Sequence, residues 1–522
     1  MKRSSSRFVT NGAGRRVPAE VNGVAQHSYA RVEGLKAKGT KAGPPIRSCA
    51  DYPPDGNKVV KDLKDALRRA GLRSGMTIST HHHLRNGDRL TSQLFEAVED
   101  LGVRGIRWFP SASFPCHEEL IPYLKNGTIH HIEGSMNGAL GRFASEGNMR
   151  GTGVLRSHGT RYQAVQDGEV HIDIAVLAAP SADPFGNANG VSGKTACGPL
   201  GFALVDAEYA DRVIVVTDNL VPFPCIPWSI QGNHVDFVVA VKSIGDPALI
   251  VSGTTVVTKS PDRQFIAEQV AHFAEASGIM KDGFSFQAGA GGTSLAFAMK
   301  LRERMKACGV KARFVRGGST EFLAGLLREG LTDYLLDGQA FDQAGIRSLR
   351  EDPRHVHTSP FTSYNYHGKG NFASMVDLVV LGATEVDLDF NANVVTHSDG
   401  TLLHGIGGWQ DCLFSRCTIL AVPSFRDRIP VIVDRVTTLC GPGELIDVVV
   451  TERGIAINPR RADLLRGVRG TGLPLRDIRD LQKEVEAICG GKPAPPRFDP
   501  RYIAAVVKWV DGSLLDTVHT LA

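Results

Sequence analysis

Short runs of apolar residues recur along the chain and are separated by segments long enough to form helices. The runs most typical of strands span residues 172–177, 213–216, 237–241, 378–381, 419–422, 431–433 and 448–450. A strand that is apolar on both faces must be covered on both faces, so the pattern predicts an α/β fold with mostly parallel sheets covered by helices. Near the C-terminus, Asp511-Gly512 separates the runs 504–510 and 514–518, which predicts a closing hairpin.

The same order of features occurs twice, which predicts a tandem duplication. Helical patterns at 59–70 and 265–274 each lead through glycines into a short strand. Later, Asp173 and Asp377 each open an apolar run, and Asn-Ala-Asn follows 14 residues after the aspartate in both copies. The aspartate lies 98 residues after the glycine that precedes the strand in the first copy, and 94 residues after it in the second.

The length of 522 residues exceeds what one hydrophobic core usually covers, so the duplication also predicts the domain boundaries. We expect a first α/β domain at residues 56–258 and a second at residues 259–522. Residues 1–55 are rich in Lys and Arg and lack apolar periodicity, so we expect a basic, poorly ordered arm. The alternative is an arm that docks an acidic carrier protein through complementary charge.

Composition narrows the class of protein. The 59 Lys and Arg residues nearly balance the 55 Asp and Glu residues, which argues against a dedicated nucleic-acid binder. Nine cysteines occur without a CxxC pair, which favours a reducing compartment. The sequence has no apolar run of 18 residues and no signal-peptide pattern, so we expect a cytoplasmic protein without membrane spans.

Two glycine-rich loops are the strongest candidates for a functional site, because parallel α/β sheets bind ligands at the carboxyl ends of their strands. The first loop covers residues 287–294, directly after a strand, and the second covers residues 405–411. Consecutive glycines let main-chain N–H groups approach a substrate closely and stabilise an anion or an oxyanion. A purely structural turn is an alternative for the first loop. A dinucleotide site is less favoured, because the spacing is not G-x-G-x-x-G.

Histidines and cysteines offer weaker signals. Three successive histidines, 81–83, are compatible with a metal site, but adjacent strand residues point to opposite faces and no partner pair is identifiable. We therefore predict no metal. His158 is a lone loop histidine and a candidate for the site, whereas Cys197 and Cys412 are interpreted as buried apolar residues.

Taken together, the motifs resemble the citrate lyase alpha chain, from about residue 58 to the C-terminus. The segments that carry the resemblance are His81-His82 with Arg85 and Gly87-Asp88, Ser157-His158-Gly159, 183–190 with Gly193-Lys194, 289–294, 390–394, Ser398-Asp399-Gly400 and Gly407-Gly408. This family belongs to the CoA-transferase superfamily, so the resemblance implies a tandem duplication of a CoA-transferase-like domain.

The resemblance implies transfer of a thioester from acetate to citrate without a covalent enzyme thioester. A citrate carboxylate would attack the acetyl thioester to give a mixed anhydride, and the released thiolate would attack the citryl carbonyl. Superfamily members that form an enzyme thioester place a glutamate where this chain has Gly317. The alternatives are a transferase or hydrolase that uses Glu321 or Glu385 as nucleophile, and a non-catalytic assembly subunit.

The site prediction has three groups of residues. The predicted catalytic residues are Gly291, Gly292, Asn391, Gly407 and Gly408. The predicted substrate-binding residues are Arg85, His158, Asn187, Asn189, Lys194, Asn393, Ser398 and Asp399. The predicted carrier-binding or CoA-binding residues are Gln287, Gly289, Thr293, Ser294 and Gly405. For the four asparagines, turn formation is the alternative role.

The resemblance also implies partners. The chain would bind no cofactor of its own and would act on the thioester of an acyl carrier protein or of CoA. Its neighbours would be a beta (citryl-lyase) subunit and a gamma (acyl carrier) subunit, and the chain itself would be a homo-oligomer within that complex. Asn137 and Leu403 stand where the family leads us to expect arginines, so Arg85, Arg142 and Lys194 are the candidate cations for the substrate carboxylates.

Overall fold

The computed structural model describes residues 7–34, 41–46, 48, 52–250, 256–289 and 291–522. The N-terminal strands are β1 (Phe8–Thr10), β2 (Arg16–Pro18), β3 (Glu20–Val21) and β4 (Val24–Ala25). The strands of the first half are β5 (Val59–Val60), β6 (Thr77–Thr80), β7 (Ile106–Pro110), β8 (Ile129–Ile132), β9 (Gly153–Leu155), β10 (Ile174–Ala179), β11 (Ser181–Ala182), β12 (Ala188–Asn189), β13 (Arg212–Thr217) and β14 (Phe237–Ala240). Its helices are α1 (Leu63–Arg69), α2 (Leu90–Asp100), α3 (Ile121–Asn126), α4 (Ala139–Ser145), α5 (His158–Gln166), α6 (Gly201–Tyr209) and α7 (Pro247–Ile250).

The second half repeats this alternation. Its strands are β15 (Ser285–Ala288), β16 (Ala312–Ser319), β17 (Thr332–Ala340), β18 (His355–His357), β19 (Leu378–Leu381), β20 (Glu385–Asp387), β21 (Ala392–Asn393), β22 (Thr418–Ala421), β23 (Phe425–Arg426), β24 (Ile429–Pro430), β25 (Ile432–Val433), β26 (Val448–Thr451), β27 (Gly454–Ile457), β28 (Phe498–Lys508) and β29 (Leu514–Leu521). Its helices are α8 (Pro261–Ala276), α9 (Gly292–Cys308), α10 (Glu321–Arg328), α11 (Gln343–Glu351), α12 (Pro360–Tyr364), α13 (Trp409–Cys412), α14 (Ala462–Gly467) and α15 (Ile478–Cys489).

Two large sheets form the frame of the molecule. The first has the strand order β5-β14-β13-β10-β6-β7-β8, and all of its strand pairs are parallel. The second has the order β18-β17-β16-β15-β19-β22-β26-β27, in which only the β26–β27 pair is antiparallel. Strands such as β10 are buried at every position, because helices cover both faces of the sheet. The predicted α/β class is confirmed.

The strand orders also confirm the duplication. When β6 is matched with β15, the six strands β14-β13-β10-β6-β7-β8 correspond to β26-β22-β19-β15-β16-β17. The matched aspartates accept equivalent hydrogen bonds in the two copies. Asp173 accepts the main-chain N–H of Thr77 at 2.7 Å, and Asp377 accepts that of Ser285 at 2.9 Å. Each aspartate therefore fastens the two central strands of its own sheet together.

The structure corrects the helix predicted at residues 59–70 and confirms the hairpin predicted near the C-terminus. Residues 59–70 do not form one helix, because Val59–Val60 pairs with β14 as an edge strand and α1 begins only after the Asp62 cap. The predicted C-terminal hairpin is confirmed as β28 and β29. Strand β28 also pairs in parallel with β9, so the end of the chain returns to the first half.

Residues 7–34 are ordered and pack against the rest of the protein, contrary to the expectation of a poorly ordered arm. Val17 and Val21 are buried against β28 and β29, which supplies the apolar contact that the basic composition concealed. The Asn11 amide donates to the carbonyls of Leu514 and Leu515 at 3.0 and 2.8 Å. Residues 1–6, 35–40, 47 and 49–51 of the expected arm lie outside the described residues. No helix in the described part of the chain is long and apolar enough to cross a membrane.

Candidate active site between the two halves

A cavity of about 260 Å³ lies at the carboxyl ends of β15, β16 and β17, the edge where parallel α/β sheets bind ligands. The first half contributes His158 and Phe202 to its wall, so both halves build the site. The lining residues are His158, Phe202, Gln287, Ala288, Gly289, Arg316, Gly317, Gly318, Gly338, Gln339, Phe341, Ser359, Pro360, Ser363, Tyr364, Leu381, Ile406, Gly408, Trp409 and Cys412.

The two predicted glycine loops meet at this cavity, through Gly289 of the first loop and Gly408 of the second. A Cβ atom at Gly408 would lie 2.9 Å from the Tyr364 hydroxyl oxygen, so only glycine allows the main chain to come this close to α12. The main-chain N–H groups of Gly407 and Gly408 donate to no acceptor among the residues that the structure describes. Gly408 can therefore present its N–H donor to an oxygen of a bound substrate, whereas Gly407, its predicted catalytic neighbour, is not a lining residue.

Asp411 ties the second glycine loop to the first half. Its two carboxylate oxygens accept the Ser157 hydroxyl at 2.7 Å and the main-chain N–H of Gly159 at 2.9 Å. Burial raises the pKa of Asp411 to about 7, although both hydrogen bonds act in the opposite direction. The main-chain N–H of His158 donates to the carbonyl of Gly407 at 2.8 Å. These contacts hold His158 beside the loop.

Two histidines stack next to the cavity. The rings of His82 and His158 lie 5.2 Å apart between centroids and are nearly parallel, with 10° between their planes. Burial lowers the pKa of His158 to about 3 and also lowers the pKa of His82. Both side chains are therefore neutral near pH 7, and His158 can offer a hydrogen bond to a substrate but not a positive charge.

The positive charge in the cavity comes from Arg316, which was not among the predicted site residues. Its guanidinium carbon lies 4.6 Å from the centroid of the Tyr364 ring. Gln339, also missed, lines the same cavity and accepts a hydrogen bond from Nε2 of His82 at 3.1 Å. No sequence motif around either residue indicates a site, because both lie within strands. They line a cavity only because three strands and α12 pack together.

No carboxylate side chain is found among the described residues that line the cavity. Glu321 is exposed and pairs with Arg328 at the surface. Glu385 is buried elsewhere, where it accepts hydrogen bonds from Asn393 and from Thr437. Cys412 does line the cavity, but burial raises the pKa of its thiol to about 12, so it remains protonated near pH 7.

Residues 291–294 of the first glycine loop and Gly405 of the second do not line the cavity. Gly291 caps α9, and Gly292, Thr293 and Ser294 form its first turn; none of them is a lining residue. Ala290 lies outside the described residues. Gly405 is packed against Ser135, since a Cβ atom at this glycine would lie 2.2 Å from the Ser135 Cβ. By contrast, Gln287 lines the cavity and its amide donates to Cys412 Sγ at 2.7 Å.

Asn187 and Asn391 stabilise equivalent turns in the two halves. The Asn187 amide donates to Asp183 at 2.8 Å, and the Asn391 amide donates to Asp387 at 3.1 Å. Each side-chain oxygen also accepts a glycine N–H at 2.9 Å. The structure therefore gives both amides partners within the protein in place of a substrate, and neither residue lines the cavity.

Asn189 and Asn393 form a second matched pair. Each side-chain oxygen accepts the main-chain N–H groups of the residues two and three positions further on. The two side chains are buried and do not line the cavity. Turn formation, the alternative role considered for these positions, accounts for their hydrogen bonds.

Four further predicted substrate-binding residues are also not lining residues. Arg85 is buried, and its guanidinium carbon lies 4.3 Å from the centroid of the Phe341 ring, so it adjoins the cavity wall from outside. Lys194 is exposed and donates to the Lys242 carbonyl at 2.9 Å. Ser398 and the exposed Asp399 belong to a surface turn.

The remaining histidines of the 81–83 run have partners within the protein. His81 contacts Asp206 at 2.9 Å, and His83 donates to the Ala178 carbonyl at 2.8 Å. One group of described residues, His171, Asp173 and Asp211, has possible ligand atoms within 4.8 Å of one another, and its histidine is exposed. The absence of a functional metal stays a prediction.

The duplicated parallel sheets and the glycine-lined cavity between them define a CoA-transferase-like α/β protein. A chain of the malonate decarboxylase hetero-tetramer from Pseudomonas has this fold, with 17% identity, a TM-score of 0.59 and 84% of each chain covered. Residues 56–521 match the family model described as "Citrate lyase, alpha subunit (CitF)". This chain belongs to the citrate lyase alpha subunit family.

Known members of the family are similar over most of their length. The citrate lyase alpha chain of Klebsiella pneumoniae is 42% identical over 464 residues, which cover 88% of this chain and 91% of the relative. The alpha chain of Escherichia coli strain K12 is 39% identical over the same shares of the two chains. The alpha subunit from Streptococcus mutans, solved in complex with citrate, is 39% identical with a TM-score of 0.93, and the match covers 98% of this chain and 100% of that one. The resemblance inferred from the motifs is confirmed.

Proposed function

We propose that this chain is the transferase subunit of a citrate lyase complex and that it transfers a thioester from acetate to citrate. Family membership supports the reaction class. The citrate-bound structure of the S. mutans relative supports the acid substrate. The observation that carries the proposal is a cavity that combines main-chain N–H donors with a lining, among the described residues, that has no carboxylate.

The proposed reaction has two acyl transfers. In the first, a citrate carboxylate oxygen attacks the carbonyl carbon of the acetyl thioester, the C–S bond breaks, and a mixed citric–acetic anhydride and a thiolate result. In the second, the thiolate attacks the citryl carbonyl carbon of the anhydride, and acetate leaves. The carboxylate nucleophile belongs to the substrate, which fits a cavity whose described lining supplies no Asp or Glu.

Both transfers pass through a tetrahedral oxyanion. The N–H groups of Gly407 and Gly408 are the donors we propose for it, because neither has a described acceptor, Gly408 lines the cavity and Gly407 directly precedes it in the chain. One such donor contributes about 3 kcal/mol to transition-state stabilisation. His158, held neutral by burial, adds a hydrogen-bonding group beside them without adding a charge.

The proposed partners follow from the complex to which the family belongs. We infer a beta subunit that cleaves the citryl thioester, a gamma subunit that carries the thiol on a CoA-derived group, and a homo-oligomeric arrangement of this chain. The chain itself would hold no cofactor, because the thiol arrives on the carrier or as CoA. A cytoplasmic location stays a prediction from the sequence.

Acetate release tests the reaction. The purified chain is incubated with acetyl-CoA or acetyl-loaded carrier plus citrate, and acetate and citryl thioester are measured against a control without citrate. We expect citrate-dependent formation of both products in equal amounts. Release that depends on another carboxylate, but not on citrate, would reassign the acid substrate, and no release with any acid would reject the transferase.

Chemical trapping separates this mechanism from the glutamate-dependent alternative. Borohydride added during turnover reduces an enzyme-bound glutamyl thioester, and peptide mass mapping then locates the modified residue. We expect Glu321 and Glu385 to remain unmodified, because neither lines the cavity. A reduced glutamate at either position would replace the anhydride route with a covalent one.

The alternative of a non-catalytic assembly subunit is tested with a Gly408 variant that still assembles into the complex. Normal turnover of that complex would support the assembly role, whereas loss of turnover would support a catalytic role.

A further inference from the structure

Arg316 is a buried cation that contacts Tyr364, and part of its hydrogen-bonding capacity is not used within the protein. Its side chain lines the cavity, and the residue is only 3% exposed. The Nε and Nη1 atoms have no hydrogen-bond partner among the described residues. Burying a charged group is unfavourable unless a partner neutralises it. An arginine in this situation points to an anion that binds there.

The protein supplies no counter-charge at bonding distance. No described carboxylate lies within 4.0 Å of the Arg316 guanidinium, the limit for an ion pair. Asp411 is close enough to influence the electrostatics, but its oxygens accept Ser157 and Gly159 instead. The positive charge is therefore directed at the contents of the cavity.

Gln339 supplies a second unused donor in the same cavity. Its residue is 8% exposed, and its Oε1 accepts the hydrogen bond from His82 Nε2. Since His82 is itself fixed through Nδ1 by Ser111 at 2.6 Å, the Gln339 amide is oriented with Nε2 away from His82. Nε2 has no partner among the described residues.

We propose that Arg316 and Gln339 form a carboxylate-binding subsite in this cavity, which holds a non-reacting carboxylate of the acid substrate. The proposal rests on the acyl-transfer function proposed above. A planar guanidinium beside an amide donor fits a carboxylate. A phosphate of the thioester carrier is the other possible anion, but Arg316 is nearly inaccessible from outside and the cavity measures only about 260 Å³.

Separate Michaelis constants for the two substrates distinguish these anions. Arg316→Leu is expected to raise KM for citrate about 10- to 100-fold, the loss of one charge-assisted interaction, with KM for acetyl-CoA within about threefold of wild type. Arg316→Lys is expected to recover part of the loss, and Gln339→Leu to cause a smaller increase. Arg313→Gln is the matched control, because Arg313 lies on the same strand with its guanidinium at the surface, bonded to the Met375 carbonyl.

Melting curves test the subsite without turnover. Citrate is expected to raise the melting temperature of wild type and Arg313→Gln, but not that of Arg316→Leu. Without ligand, Arg316→Leu is expected to melt no lower than wild type, because removing an unpaired buried charge does not cost stability. The subsite would be overturned if Arg316→Leu kept both the wild-type KM for citrate and the wild-type rise in melting temperature with citrate.

A raised KM for acetyl-CoA alone would assign Arg316 to the carrier instead. If wild type releases no acetate, the proposed reaction fails, and the citrate shift still decides whether Arg316 binds a carboxylate.

Discussion

Asp411 should make the stability of this protein depend on pH in a way that one substitution removes. The side chain is fully buried, and burial raises its pKa from 3.8 to about 7. In the unfolded chain the same carboxyl group titrates near 3.9. Between these two values the folded protein binds one proton more than the unfolded chain, so the free energy of unfolding falls as the pH rises.

The size of this effect follows from the two pKa values. The difference between 3.8 and about 7 corresponds to about 4 kcal/mol in total, and the part between pH 5 and pH 7 to about 3 kcal/mol. An unfolding entropy of about 2.1 cal/mol/K per residue gives about 1.1 kcal/mol/K for a chain of this length. The contribution of Asp411 is therefore a fall of about 2–3 °C in melting temperature between pH 5 and pH 8.

The assay compares melting temperatures of wild type and Asp411→Asn at these two pH values. The amide has no charge to bury, and it can accept the Gly159 N–H while donating to Ser157, so the tie between the halves is kept. Other titrating groups affect both proteins equally, and the difference between the two pH dependences isolates Asp411. Asp427→Asn, at an exposed aspartate, is the matched control and should behave as wild type. Parallel pH dependences in wild type and Asp411→Asn would refute the reasoning.

Three further outcomes test the site. Gly408→Ala should lower the rate of acetate release about 100-fold or more, because the added Cβ meets the Tyr364 hydroxyl at 2.9 Å and shifts the N–H donors. Gly370→Ala is the control and should leave the rate unchanged, because the space around its Cβ is open. His158 should show no titration between pH 5 and pH 8 in NMR spectra of histidine-labelled protein, since its pKa is about 3; a titrating signal lost in His158→Gln would contradict this. Iodoacetamide at pH 8 should label the exposed Cys308 and leave Cys412 unlabelled in peptide mass maps, because the Cys412 thiol has a pKa of about 12; early labelling of Cys412 would contradict its burial.

Much of the architecture could be predicted because short patterns of apolar and polar residues determine the strands and helices. Apolar runs of strand length lie in the two large sheets, apart from residues 431–433, which contribute β25 to a small mixed sheet. The matched aspartates Asp173 and Asp377 occupy the same position in each large sheet. The N-terminal segment was mispredicted for the converse reason. Its few apolar residues, such as Val17, show no periodicity along the chain, and their burial depends on a hairpin almost 500 residues away.

The candidate asparagines show where motif reasoning reaches its limit. Asn-Ala-Asn recurs in both halves because each copy needs the same turns, and the hydrogen bonds of Asn187 and Asn391 follow this structural repeat. A recurring polar motif in a duplicated protein therefore reflects the shared fold as readily as a shared site. Only the contacts of each side chain separate the two explanations.

By itself, the sequence determined the α/β class, the duplication, the family and the two glycine loops, since each of these is recognised from short motifs whose own residues lie close together in the chain. The tertiary structure decided which of those loop residues reach one cavity, namely residues 287–289 of the first loop and Ile406, Gly408 and Trp409 of the second, and added Arg316 and Gln339 to them. The physical reason is that the cavity forms where strands, α12 and α13 of one half meet α5 of the other. Its key contact, between Asp411 and Ser157, joins residues 254 positions apart, and no local pattern encodes such a contact.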